Sequence, residues 1–327
     1  MGSRWLPMMA LLRRELFERV RTVNHFLMRS LYVLLLFMVV LMMAGDELFA
    51  DLGGGLTRAP DLGQTLFVVF SVLQFGLVAL SVPLIAASAV VEEKVGRSLG
   101  LLLLTDLSYG QICVGKFLAR LGLMTLLVLS NVPVLLFASM LGGVEPIDVV
   151  RVFVLTLGMA AMFIGVTLAM SAAERSTVRA ALASYAVMCV WMLSMLLMLD
   201  SFVPSDLFMM WHPVVTLTVA LSDPLSLGAS WWIAPLINLA VGLAAVGLAT
   251  VLLGRGVRRA RAHSGDTVQR VVEPSRVWSN PVAWREWLRR GKPWRTLLTS
   301  LGLGLLVSLF PLGLDGSDDV DFFMLIL

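Results

Sequence analysis

The chain has 327 residues, of which 58% are hydrophobic and 14% charged, and its formal net charge is +3. A soluble domain carries about 25% charged residues, so the composition indicates an integral membrane protein whose helices cross roughly 30 Å of hydrocarbon. So small a net charge gives no electrostatic reason to expect a nucleic-acid partner, and two distant cysteines, Cys113 and Cys189, imply no disulfide framework. The three histidines, His25, His212 and His263, form no local cluster with metal-ligand spacing.

The polar and amphipathic stretch before the first apolar run is longer than the n-region of a signal peptide, so a retained first span is expected. Within it, Pro7 to Arg21 places Met8, Met9, Leu12, Leu16 and Val20 on one broad helical face and Arg14, Glu18 and Arg21 opposite. That pattern, which includes Arg13, Arg14 and Glu15, suits a helix lying in the membrane interface.

Spans are expected at about Phe26 to Ala44, Thr65 to Val91 (with Pro83 inside), Phe117 to Leu141, Val149 to Met170, Ala180 to Leu199 and Trp231 to Leu253. Between the fifth and sixth, Pro204, Pro213 and Pro224 break two apolar pieces too short to cross, which read as re-entrant or interfacial. A basic linker follows, and NPVAWREWLRR then repeats the opening pattern, with Arg285 and Glu286 aligned on Arg14 and Glu15. A seventh span, about Leu297 to Leu314, begins what reads as a second unit; the terminal FFMLIL either lies on the outer face or belongs to the first part of a longer duplicated protein. The divisions are therefore residues 1–254, a six-span unit with its interfacial helix; 255–296, the linker and second interfacial helix; and 297–327. The fold class is all-α and polytopic.

If the N-terminus lies inside, every loop agrees in sign. Arg4 to Arg21, Lys94 to Lys116, Arg175 to Arg179 and Arg255 to Arg295 fall on the inner side, and most acids fall on the outer. Arg29, Arg120 and Arg151 sit near span ends and read as interface anchors that snorkel.

The stretch Glu92 to Lys116 is more elaborate than a turn requires. Glu92, Glu93, Lys94 and Arg97 form a charge cluster, followed by Gly96-x-Ser98-Leu99, the run Leu101, Leu102, Leu103 and Leu104, then Thr105-Asp106-Leu107-Ser108 and Gly115-Lys116. This pattern resembles the permease subunits of ABC-2 type ABC transporters, as do the amphipathic first helix, the broken segment before the sixth span and NPVAWRE at Asn280 to Glu286. It departs from that family at Gly100, where an acidic residue is frequent, and at Asp106, where proline is. The resemblance implies an ATP-driven exporter in a bacterial inner membrane, with the N-terminus cytosolic. Segment 92–116 would be a coupling helix docked on a separate ABC ATPase subunit, its charges setting register and its leucines filling a groove. It further implies a second permease unit, as another copy or as a continuation of the chain. No cofactor would be bound by this chain, ATP and magnesium belonging to the ATPase.

Other patterns point elsewhere. Gly110-x4-Gly115-Lys116 imitates a phosphate-binding loop, but Phe117 stands where a hydroxyl would hold magnesium, and Lys116 reads as a span anchor. Glu92-Glu93-x3-Arg97 and Phe208-x3-His212 are similar to two motifs of intramembrane CAAX-type metalloproteases, but no third His-x3-Asn/Asp follows. An ion-coupled secondary transporter would keep a carboxylate in a span core, and none is expected here.

Overall fold

The computed structural model describes residues 59–95, 107–193, 212–222 and 231–265, with single helical positions at 9, 13, 15, 17, 30, 33, 34, 37 and 38. The seventh span, the second interfacial helix, segment 96–106, the basic linker beyond Gly265 and all of the first span but those single positions lie outside the described residues. The described residues form helices and no strand: α1 (Ala59–Ala86), α2 (Ser88–Val95), α3 (Tyr109–Leu129), α4 (Val132–Leu141), α5 (Pro146–Ala173), α6 (Thr177–Leu193), α7 (Pro213–Ser222) and α8 (Ile233–Gly265).

Among the described residues, four stretches are long and apolar enough to cross a membrane: Gly63–Lys94, Tyr109–Leu141, Pro146–Ala173 and Ile233–Arg258. They correspond to the second, third, fourth and sixth expected spans. The described part of the fifth, α6, is a 17-residue apolar helix. Two crossings are bent where the sequence supplies the cause. Pro83 lies inside α1, one turn before the break at Ala87. The third crossing breaks at Ser130-Asn131, with Pro133 in the first turn of α4. Gly142 and Gly143 take positive φ, 103° and 78°, to turn the chain from α4 into α5, and Pro146 opens α5 inside a Glu145–Asp148 capping box.

Helix α5 is the centre of the bundle. Of its apolar window 83% is buried inside the protein, against 28% to 44% for the other three spans. Its closest neighbour is α8. A methyl added at Gly165 would stand 2.2 Å from the Gly242 carbonyl oxygen, one at Gly242 would stand 2.6 Å from the Ala161 oxygen, and one at Gly158 would strike Pro235. The two backbones touch with no side chain between them, the use of small residues expected where lipid supplies no hydrophobic drive to association. These pairings run in the same order along both chains, so α5 and α8 are parallel. Helix α1 meets the α4–α5 turn at Gly63, against Gly142. The start of α3 lies at the opposite end, with Tyr109 against Gly254. That opposite end, which carries α2, is called the α2 end below.

Candidate functional site

The α2 end holds a cluster of four charged side chains brought from three parts of the sequence. Glu15 comes from a helical position near the N-terminus, Glu93 from α2, and Lys116 and Arg120 from successive turns of α3. Lys116 Nζ lies 2.7 Å from Glu15 Oε1 and 2.7 Å from Glu93 Oε1, and Arg120 Nη2 lies 3.5 Å from Glu15 Oε2. Both cations are 1% exposed and both carboxylates 16%. Two carboxylates face two cations, so the cluster is formally neutral, the condition under which buried charge is tolerated. Glu93 Oε2 is buried and accepts no hydrogen bond. The start of α3 is fixed independently: Ser108 caps it, with Gln111 N–H donating to Ser108 Oγ at 3.3 Å and Ser108 N–H donating to Gln111 Oε1 at 2.9 Å.

Beside this cluster, α2 is fastened to the end of α5. Lys94 Nζ donates to the carbonyls of Ser171, Ala172 and Glu174 at 2.8, 2.7 and 2.8 Å. These are among the last carbonyls of a helix, where a cation is favoured by the helix dipole. Ser171 reaches back into the break between α1 and α2. Its hydroxyl donates to Ala87 O at 2.7 Å and accepts from Val90 N–H at 3.1 Å and Val91 N–H at 3.2 Å.

Deeper in the bundle, Asn131 Nδ2 donates to Gln74 Oε1, Gln74 Nε2 donates to Thr156 Oγ1 at 3.2 Å, and Thr156 Oγ1 donates to Val152 O at 2.7 Å. All three side chains are fully buried. The chain of bonds ties α1, the α3–α4 break and α5 together inside the crossing. An apolar cavity of about 350 Å³ opens between α3, α5 and α8, lined by Leu121, Thr125, Leu157, Gly158, Trp232 and Pro235 among others. Its one hydroxyl, Thr125, is already bonded to Leu121 O at 2.9 Å.

Of the residues singled out in the sequence, the structure gathers Glu15, Glu93 and Lys116, and it corrects the role expected of two. Lys116 and Arg120 do not snorkel to an interface; they are buried and ion-paired, because Glu15 and Glu93 reach them. Arg151 is held by Asp148 at 2.7 Å, one turn away on α5. Glu92 is exposed, whereas Glu93 and Lys94 turn inward. Arg13 lies over the ring of Phe17, 5.6 Å from its centroid. Arg14, Gly96, Arg97, Ser98, Leu99, Leu101, Leu102, Leu103, Leu104, Thr105, Asp106, Arg285 and Glu286 lie outside the described residues. Sequence reasoning missed Ser171, Gln74, Asn131 and the Gly158, Gly165 and Gly242 contacts. Amides within apolar runs and glycines one heptad apart were the available signals for the last two groups.

Residues Gly110 to Lys116, which imitate a phosphate-binding loop, are the first two turns of α3 and present no loop. His212 is fully buried, stacked on Trp191 with centroids 4.3 Å apart, its Nε2 3.2 Å from the Trp191 carbonyl. Trp191 packs edge-on against Phe163 at 5.7 Å, so the start of α7 lies beside the interior of α5. The described residues hold no group of three His, Cys, Asp or Glu side chains placed to bind a metal, and Glu93 is engaged by Lys116 rather than by His212. Compared with known proteins, the chain matches no family model and no curated protein.

Proposed function

We propose that this chain is the membrane-spanning permease of an ABC-2-like, ATP-driven exporter, coupled through segment 92–116 to a separate ATPase subunit. The observation that carries this reading is the convergence of Glu15, Glu93 and Lys116. Each belongs to a different piece of the motif set quoted above, and together they root both ends of segment 92–116 in one buried ionic cluster. A segment anchored so firmly at both ends suits the transfer of force better than it suits a simple connection between spans. Glu92, which is exposed, and the residues from Gly96 to Asp106 are the parts assigned to docking.

In this reading six spans form one unit, a second unit faces it, the N-terminus and the α2 end lie in the cytosol, and the membrane is a bacterial inner membrane. The basic residues of the α2 end, Arg175, Arg179, Arg255 and Arg258 with Lys94, support that orientation. ATP and magnesium bind the partner, not this chain. The cavity beside Trp232 supports a lipophilic or amphipathic cargo. The deciding experiment is affinity purification of the tagged chain from its native membrane in mild detergent. A stoichiometric soluble ATPase is expected; its absence, together with uptake or efflux by the reconstituted chain alone under a proton gradient, would replace this reading with a secondary transporter.

A further inference from the structure

We infer that α2 belongs mechanically to α5 rather than to α1, the helix it continues, and that Ser171 and Lys94 are the two residues that make it so. The inference concerns how force leaves segment 92–116, and it rests on the proposed function only for the meaning of that force.

In an unbroken helix the Val91 N–H would bond to Ala87 O and the Val90 N–H to Ala86 O. Instead both N–H groups point to Ser171 Oγ, and the Ser171 hydroxyl donates to Ala87 O. A serine hydroxyl has one donor and two acceptor sites, so Ser171 is saturated by this one break. Two rungs at the junction of α1 and α2 run through α5, while the Ala87 N–H keeps its bond to Pro83 O at 3.0 Å. Side-chain insertion into the hydrogen-bond ladder is a recognised cause of a sharp helix bend. Pro83, which has no N–H, softens the same stretch of α1 from the other side.

The far end of α2 is held in the same way. An ammonium has three donors, and those of Lys94 are directed at three carbonyls at the close of α5. Two contacts, one turn apart on α2, prevent rotation as well as separation. Lys94 therefore has no donor left for a docked partner. From α5 the load passes to α8 through the backbone contacts at Gly158, Gly165 and Gly242.

The test uses the full chain in detergent, with and without its ATPase. Hydrogen exchange of the isolated chain, read by mass spectrometry, is compared between wild type and Ser171→Ala/Lys94→Met. Peptides covering 87–95 should exchange at least ~10-fold faster in the variant, with α1 peptides covering 63–82 unchanged. Unchanged exchange in 87–95, or equal acceleration in 63–82, would overturn the inference. With the ATPase present, the variant should retain the partner but transport at least ~10-fold less cargo per ATP hydrolysed, a ratio that simple loss of folded protein does not alter. An unchanged ratio would count against the load path. Should the double variant fail to fold, Ser171→Ala alone serves for the exchange measurement, with the same expectations. If wild type brings down no ATPase, the proposed function fails while the exchange result still decides the inference.

Discussion

Lys116 and Glu93 meet at 2.7 Å with the lysine 1% exposed, so the first turns of α3 and the end of α2 are joined by a charge pair whose cation is shielded from solvent. The energy of such a pair lies mostly in what happens when one member is lost. Lys116→Met leaves Glu93 buried without its cation, and a loss of about 3–5 kcal/mol is expected. Lys116→Met/Glu93→Gln should recover a large part of that loss, because no uncompensated charge remains. Thermal unfolding of the purified chain in detergent checks both. Equal destabilisation by the single and double variants would show that the pair is not the unit described.

Glu92 and Glu93 are adjacent but face different surroundings, and charge reversal should separate them. Glu93→Lys places a cation against Lys116 and is expected to lower folded yield. Glu92→Lys alters an exposed position and should weaken recovery of the ATPase. Fluorescence-detected size exclusion reports the first effect, and the partner-to-chain ratio in pull-downs reports the second.

The α5–α8 seam makes a contrast between glycines. Gly165→Ala directs a methyl at a backbone carbonyl that cannot turn aside, so at least ~2 kcal/mol is expected, toward the upper part of the overpacking range. A methyl at Gly247, on the same helix as Gly242, meets nothing within 4 Å. Gly247→Ala should be neutral or stabilise by up to about 1 kcal/mol through helix propensity. Melting temperatures of the two variants should shift in opposite directions or differ by several degrees.

Gln74 connects Asn131 to Thr156, and Gln74→Leu leaves the Asn131 amide without that acceptor in a buried place. The cost expected is about 1 kcal/mol, between the mean of ~0.6 for interhelical bonds in membranes and the larger penalty for an orphaned group. Asn131→Leu/Gln74→Leu should cost less than the two single changes added together. A double-mutant cycle on unfolding midpoints measures the coupling.

Much of the fold was legible because apolar run length is a direct physical constraint: α1, α3 with α4, α5 and α8 fall where the hydropathy placed spans. The site was less so. A lysine near a span end snorkels unless a carboxylate reaches it, and what reaches Lys116 is Glu15, a hundred residues away by sequence and positioned only by tertiary structure. The fourth expected span stops at Met170, one residue short of Ser171, yet α5 continues to Ala173. No local pattern shows that a serine will stand in another helix's hydrogen-bond ladder. Of the two segments read as re-entrant or interfacial, α7 is described; it packs against α5 and α8, and His212 at its start stacks on Trp191 of α6, a contact that neither residue's neighbours in sequence foretell.

Side chains let helices slide by changing rotamers, and the seam between α5 and α8 has none to change at Gly165 and Gly242. Sliding at that point would have to move backbone against backbone. Under the proposed function, a path would open along the seams that α5 makes with α1, α3 and α6, where larger side chains can repack, sooner than along this one. The glycines thus choose which walls of the bundle are doors.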